Sequence, residues 1–285
     1  GPAARTVLIY VPGGAGDKIE IQDKEANAFY DNIGRWATQH RMVGVTMQRH
    51  GSASWNGGAK DISSMLQWVV AHIGHYHGNP HRMFIWAHSA GNIPLGTYIG
   101  RPELYGPNGV GVKGVIFMSG AAFDIAPVRM PPTNLAAMRN IMGTAGITCG
   151  LPGGMASAGG TAGALPGVPP GGPGGPPLPR TGPVAFPPQP DPATQLARSS
   201  LPELKHTSVR IMLANAQMDI GVDHAPDAHG LTTFNKALDD ALCAAGRCPT
   251  LLVAKGHSHV SEVFSIDTPD TTVSGPVLAF IHSTK

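Results

Sequence analysis

Charged side chains and long apolar runs are both scarce in this chain. Charged residues make up 13% of its 285 residues, and the formal net charge at pH 7 is only +2. Proteins that bind nucleic acids usually carry a strong basic excess, so the sequence predicts no nucleic-acid partner. No apolar run is long enough to cross a bilayer and no signal peptide is recognisable, so no membrane span is expected either.

Cysteine is also rare, with three residues in the whole chain. So few cysteines exclude a disulfide-stapled scaffold. Cys243 and Cys248 are close enough in sequence to pair across a helix end, although free thiols are the favoured expectation, and Cys149 is expected to be single. The sequence therefore indicates neither a compartment nor an oligomeric state.

What the sequence does contain is a regular alternation of apolar runs and amphipathic segments. This alternation predicts an α/β fold with a mostly parallel, doubly wound sheet whose functional residues lie at the carboxyl ends of the strands. The predicted strands are residues 5–11, 42–47, 83–86, 112–118, 208–214 and 250–254, and the predicted helices are residues 24–39, 61–73, 92–99, 232–244 and 273–282.

Glycine and proline dominate residues 143–195, where apolar periodicity disappears. Such a composition buries too little surface to offset the entropy of ordering, so the segment is expected to be poorly ordered and open to proteolysis. A linker between two domains is the alternative, but the roughly 90 residues that follow are too short for a second α/β domain. We therefore expect one domain over residues 1–285, with an insertion placed as a lid.

The sequence IWAHSAGN at residues 85–92 places a serine between an apolar strand and a helix. Ser89 sits in a small-x-Ser-x-small pattern, a variant of the nucleophile elbow with Ala87 and Gly91 as the small residues. In such an elbow the backbone N–H of the next residue, Ala90, lies at a helix start and favours an oxyanion. The alternative is a serine in an ordinary strand-to-helix turn.

An aspartate and a histidine follow later strands, which gives the chain order Ser, Asp, His. A histidine takes the proton of a serine hydroxyl and returns it to a leaving group, while a carboxylate orients the imidazole. The candidates are Asp219, with Asp223 and Asp227 as alternatives, and His257 or His259.

Two other features of the sequence bear on cofactor and metal binding, and neither favours it. The glycine loop after the first strand lacks the G-x-G-x-x-G pattern of a dinucleotide site, so it is either an anion-facing loop or a plain turn. His72, His75, His77 and His81 cluster without a nearby carboxylate or cysteine, so solvated loop histidines are favoured over a metal site. The sequence therefore predicts neither a metal nor a cofactor.

Several of these motifs together resemble the α/β-hydrolase carboxylesterases of the HGG(G/A) type. This group lies near hormone-sensitive lipase and the feruloyl-esterase-like and arylformamidase-like bacterial esterases. The matching segments are YVPGGAG at residues 10–16, YDNIGRW at 30–36, WAHSAG at 86–91, Asp219, and GHSHVSE at 256–262.

The resemblance assigns roles to individual residues. It implies that Ser89 is the nucleophile, Asp219 the acid and His259, through the family's Gly-x-x-His spacing, the base. The positions that match its oxyanion hole are Gly14, Ala15 and Ala90.

The chain departs from the family pattern in three ways. Pro12 stands where a histidine usually precedes the glycines, so support for this loop is expected to come from elsewhere. Gly16 stands where a large aromatic residue is common, which is expected to open the pocket. There is also no room for the family's extra strands before residue 5.

These features predict a serine carboxylesterase that hydrolyses small or aromatic carboxylic esters through an acyl-enzyme intermediate. The expected partner is a small-molecule ester. Two alternatives stay open at the level of sequence: an arylformamidase or other amidase with the same triad, and a catalytically silent binding protein on the same fold.

Overall fold

A single parallel sheet organises the fold. The computed structural model describes residues 4–13, 31–49, 56–120, 199–219 and 229–284, together with residues 193, 197 and 222. The insertion predicted at 143–195 lies outside the described residues, apart from Ala193. The strands are β1 (Arg5–Val11), β2 (Val43–Thr46), β3 (Gly78–His88), β4 (Gly114–Met118), β5 (Arg210–Ala216) and β6 (Thr250–Ala254).

The six strands run in the order β2-β1-β3-β4-β5-β6, and every neighbouring pair is parallel. Trp86 on β3 lies opposite Tyr10 on one side and Ile116 on the other, which fixes the register at the centre of the sheet. The predicted α/β-hydrolase fold class is confirmed. Because the strands are parallel, their carboxyl ends share one edge, where the candidate residues were expected.

The helices flank this sheet. They are α1 (Asp31–Gln39), α2 (Gly57–His72), α3 (Asn92–Ile99), α4 (Leu201–Leu204), α5 (Thr233–Ala244), α6 (Ser261–Phe264) and α7 (Ser274–Ser283). Residues 24–30 of the first predicted helix lie outside the described residues. None of the helices in the described part of the chain has both the length and the apolarity needed to cross a bilayer.

Alternate side chains of each central strand enter two separate cores. On β1, Val7 and Ile9 belong to the core that also includes side chains of α2, α3 and α5, whereas Leu8 and Tyr10 belong to the core with α1 and α7 on the opposite face. All four are almost completely buried, and each buried apolar side chain of this size stabilises the fold by about 1.5–3 kcal/mol. Burial on both faces explains why the strands read as continuous apolar runs.

The two cysteines near the end of α5 are paired, so the expectation of free thiols was wrong. Cys243 and Cys248 form a disulfide with their Cα atoms 4.1 Å apart. The chain turns back between them at Gly246, whose φ of +74° is a left-handed conformation that favours glycine. This turn brings the two thiols together. Cys149 lies outside the described residues.

Candidate active site

Ser89 occupies a strained turn between β3 and α3. Its φ is +52°, and the serine begins a short 3-10 turn over Ser89–Gly91 that leads directly into α3. A non-glycine residue with positive φ is uncommon, and such strain persists only where the surroundings enforce it. The strand–turn–helix arrangement and the strained serine are those expected for a nucleophile elbow.

Close backbone packing explains the small residues around this serine. A Cβ atom on Gly91 would lie 2.6 Å from the carbonyl oxygen of Val11 and 2.7 Å from that of Pro12. A Cβ atom on Gly13 would lie 2.9 Å from the Cβ of Ser89. The elbow and the loop after β1 therefore approach each other too closely for any larger side chain.

Asn92, which the sequence reasoning did not single out, ties the elbow to the sheet. Its side-chain amide donates to the carbonyl oxygens of Ser89 at 2.7 Å and of Met118, at the end of β4, at 2.9 Å. The residue is fully buried. A polar residue directly after the elbow was the available signal, but its partner on β4 was not visible in the sequence.

Three side chains from three strand ends form one hydrogen-bonded chain. The Ser89 hydroxyl lies 2.9 Å from His259 Nε2, and His259 Nδ1 lies 2.8 Å from Asp219 Oδ1. The Asp219 side chain is 2% exposed and that of His259 is 23% exposed. Because the carboxylate accepts the proton on Nδ1, Nε2 is left as an acceptor for the serine proton.

The loops that carry Asp219 and His259 are joined by direct backbone bonds. The N–H of Met218 donates to the carbonyl oxygen of His257 at 2.9 Å, and the N–H of Gly256 donates to the Gln217 side chain at 3.0 Å. Gly256 has a φ of +78°, which turns the chain after β6. These contacts fix the loop that carries Asp219 relative to the loop that carries His259.

His257, the alternative base, has a different partner. Its Nε2 lies 3.0 Å from Asp270 Oδ2, and its Nδ1 lies 3.3 Å from the Ser261 hydroxyl. Hydrogen bonds from Thr272 lower the pKa of Asp270, with a smaller contribution from His257. The structure thus brings His259 and not His257 to Ser89. The alternative acids Asp223 and Asp227 lie outside the described residues.

Only part of the predicted oxyanion hole is described. Ala90 lies in the turn after Ser89, where backbone N–H groups at a helix start are not consumed by intrahelical bonds. Gly14 and Ala15 lie outside the described residues. The loop before them is held by Arg49, whose guanidinium donates to the carbonyl oxygens of Pro12 at 3.2 Å and Gly13 at 3.4 Å.

Two titratable side chains, His88 and Glu262, are buried behind this triad. The pKa of His88 is lowered to about 3, first by burial and then by neighbouring His259. The pKa of Glu262 is raised well above its ordinary range, first by burial and then by the charge of Asp219. Burial therefore favours the uncharged form of both side chains. Neither was assigned a role from the sequence.

Among the described residues, one group of three side chains has the spacing of metal ligands. The ligand atoms of His88, His259 and Glu262 all lie within 4.8 Å of one another. However, both ring nitrogens of His259 are already engaged with Ser89 and Asp219, so we assign the group to hydrogen bonding. The histidine cluster noted in the sequence is a separate group, and each of its members is exposed: His72, His75, His77 and His81.

Solved structures with the same fold include several esterases. A truncated carbohydrate esterase from gut microbiota superposes with a TM-score of 0.60 at 13% identity, covering 99% of this chain and 86% of the other. Carboxyl esterase 2 of the mycorrhizal fungus Tuber melanosporum gives 0.60 at 11% identity, over 100% and 79% of the two chains. An esterase of Pyrobaculum calidifontis gives 0.61 at 12% identity, over 100% and 78%.

A family match covers the region around the elbow. The model of the carboxylesterase family matches residues 42–150, which are less than half of the chain but include Ser89. None of the curated proteins matches the sequence. The chain therefore has the α/β-hydrolase fold of these esterases, and its residues 42–150 resemble the carboxylesterase family.

Proposed function

We propose that this protein is a serine carboxylesterase that hydrolyses small or aromatic carboxylic esters through an acyl-enzyme intermediate. The observation that carries the proposal is the hydrogen-bonded chain from Ser89 through His259 to Asp219, with distances of 2.9 and 2.8 Å. In the structure at hand these bonds are already short enough for proton transfer.

In the first half of the reaction the Ser89 oxygen attacks the ester carbonyl carbon while His259 Nε2 takes the hydroxyl proton. The negative charge that develops on the carbonyl oxygen is stabilised by backbone N–H groups, for which we propose Ala90, Gly14 and Ala15. His259 then gives its proton to the leaving alcohol as the carbon–oxygen bond breaks, which leaves the acyl group on the serine.

In the second half, His259 takes a proton from water, and the resulting nucleophile attacks the acyl-serine carbonyl. Collapse of this second intermediate releases the carboxylic acid and returns the proton to Ser89. Asp219 stays ionised throughout. It accepts the Nδ1–H of His259 and so stabilises the imidazolium that forms in each half.

The sheet supports the proposal that residues 143–195 are an insertion within one domain. β4 ends at Met118 and β5 begins at Arg210, yet the two strands are direct parallel neighbours from the Gly114–Arg210 pair onward. The chain therefore leaves one strand and returns to the next strand of the same sheet. We propose that the intervening segment belongs to this domain.

A panel of para-nitrophenyl esters of rising acyl length tests the proposed reaction, with Ser89→Ala as the blank. We expect turnover by the wild-type protein that falls to the blank in the variant. A parallel assay with an N-formyl aniline separates ester hydrolysis from the arylformamidase reaction. Faster turnover of the formamide than of every ester would overturn the ester assignment, and no turnover of either would indicate a silent binding protein.

A further inference from the structure

His88, the residue before the nucleophile, contacts the base rather than the serine. It is the last residue of β3, and its side chain is 4% exposed. Its Nε2 lies 2.9 Å from the backbone carbonyl oxygen of His259, and the two imidazole rings pack with centroids 4.7 Å apart. A carbonyl oxygen only accepts, so Nε2 of His88 carries a proton and donates it.

Glu262 approaches the same nitrogen of His88. Its Oε1 is 3.4 Å from His88 Nε2, and its side chain is 1% exposed. Neither carboxyl oxygen has a hydrogen-bond partner of good geometry among the described residues. A buried carboxyl group with so few partners is costly and calls for an explanation.

The charges around this pair set its protonation. Among the described residues, Glu262 faces Asp219 after β5, His88 at the end of β3, the Ser119 side chain after β4 and the Ala216 backbone. Ser119 and Ala216 favour the ionised carboxyl, but burial and the charge of Asp219 outweigh them and raise its pKa. With Glu262 uncharged, Asp219 has no second carboxylate charge next to it.

We propose that His88 and Glu262 are positioning residues for the base: His88 fixes the backbone of His259 through its Nε2–H, and Glu262 supports His88 as an uncharged carboxylic acid. The inference rests on the proposed esterase function, because it assigns His259 as the base. Its consequence is that the position of the imidazole depends on a residue of the elbow itself, so nucleophile and base are held by one rigid turn.

Two substitutions of His88 test the hydrogen bond. His88→Gln keeps an N–H at about the same reach, whereas His88→Leu keeps a comparable volume without a donor. For His88→Leu we expect kcat on a para-nitrophenyl ester to fall on the order of tenfold to a hundredfold, because small misplacements of a catalytic group have effects of this size. KM should stay within about threefold, and His88→Gln should recover most of kcat.

Asn235→Ala is the matched control for general destabilisation. Asn235 is also fully buried and donates to the carbonyl oxygen of Ala214 at 3.3 Å, and its hydrogen bonds among the described residues do not include Ser89, Asp219 or His259. It should lower the urea midpoint while kcat stays within about twofold. If His88→Leu has the same kcat as wild type, or if His88→Gln is as impaired as His88→Leu, the positioning role is overturned.

Glu262→Gln tests the charge state independently of folding. Gln mimics the protonated acid, so the acid limb of the kcat/KM profile, on which the base is protonated, should keep its position. If Glu262 were ionised in the working enzyme, removing a negative charge within 4.8 Å of His259 would move that limb about one unit or more towards lower pH. Such a shift would overturn the uncharged-acid assignment.

These outcomes are separable from failure of the esterase proposal. A wild-type protein that turns over no ester would refute the proposed function before any variant is compared. An active wild type whose variants lack the expected pattern would refute only the positioning role.

Discussion

Replacing Asp219 by asparagine should inactivate the enzyme while leaving its shape almost unchanged. The carboxylate accepts the proton on His259 Nδ1 at 2.8 Å, and its side chain is 2% exposed, so water cannot substitute for it. An asparagine in the same place presents its N–H to Nδ1. The imidazole then carries its proton on Nε2, where it faces Ser89 and cannot accept the hydroxyl proton.

The expected loss in kcat is on the order of 10²–10⁴, by analogy with the same change in serine proteases, where the cost is about 10⁴. This corresponds to about 2.7–5.4 kcal/mol of lost transition-state stabilisation. Two factors contribute: the wrong tautomer, and the absence of a negative charge beside the imidazolium. Since the amide is isosteric, KM should change far less than kcat.

Asp270, between α6 and α7, provides a matched control. Asp270 makes a similar contact to His257, at 3.0 Å, but its side chain is 42% exposed and the pair does not touch Ser89. Asp270→Asn should therefore change kcat by less than about threefold, because exposed ion pairs contribute little. Both variants are assayed with a para-nitrophenyl ester under saturating conditions. Asp219→Asn with near-wild-type kcat, or Asp270→Asn with the larger loss, would refute the assignment of the acid.

Three further predictions follow from the same contacts. His259→Ala should lower kcat by orders of magnitude and His257→Ala far less; the reverse ranking would move the base to His257. Gly91→Ala should lower the free energy of unfolding, measured by urea titration, by about 1–3 kcal/mol, because its Cβ meets two backbone carbonyl oxygens. Gly34→Ala, in α1 with nothing within 4 Å of the new Cβ, should instead add about 0.5–1 kcal/mol; equal effects would contradict the packing argument. Since burial lowers the pKa of His88 from 6.5 to about 3, the wild type should lose stability as the pH falls below 6.5, by about 3 kcal/mol at pH 4. His88→Gln should flatten this slope in urea titrations, and an unchanged slope would show that His88 is not the group responsible.

Much of the fold was predictable because the central strands are buried on both faces. Each apolar run predicted a strand, and all six strands lie in the sheet. The start of β3 was not predicted, because residues 78–82 are mostly polar and become strand only by pairing with β1, where Arg5 lies opposite Gly78. The four-residue helices α4 and α6 are too short to show a helical period.

The site was predictable only as far as its motifs are local. Ser89 lies in a recognisable turn, and the chain order of the three residue types suggested the other two members. The supporting residues depend on contacts between distant parts of the chain. Asn92 reaches Met118 across the sheet, and His88 reaches His259, 171 residues later. Nothing in the local sequence around His88 or Glu262 indicates these partners.

The most direct test of the central claim is covalent labelling of Ser89. An organophosphonate should form one adduct with the wild-type protein, peptide mapping should place it on Ser89, and ester hydrolysis should be lost in proportion to labelling. Ser89→Ala should take no label and hydrolyse no ester while keeping the wild-type circular dichroism spectrum. Labelling or ester turnover that persists in folded Ser89→Ala protein would show that the nucleophile lies elsewhere.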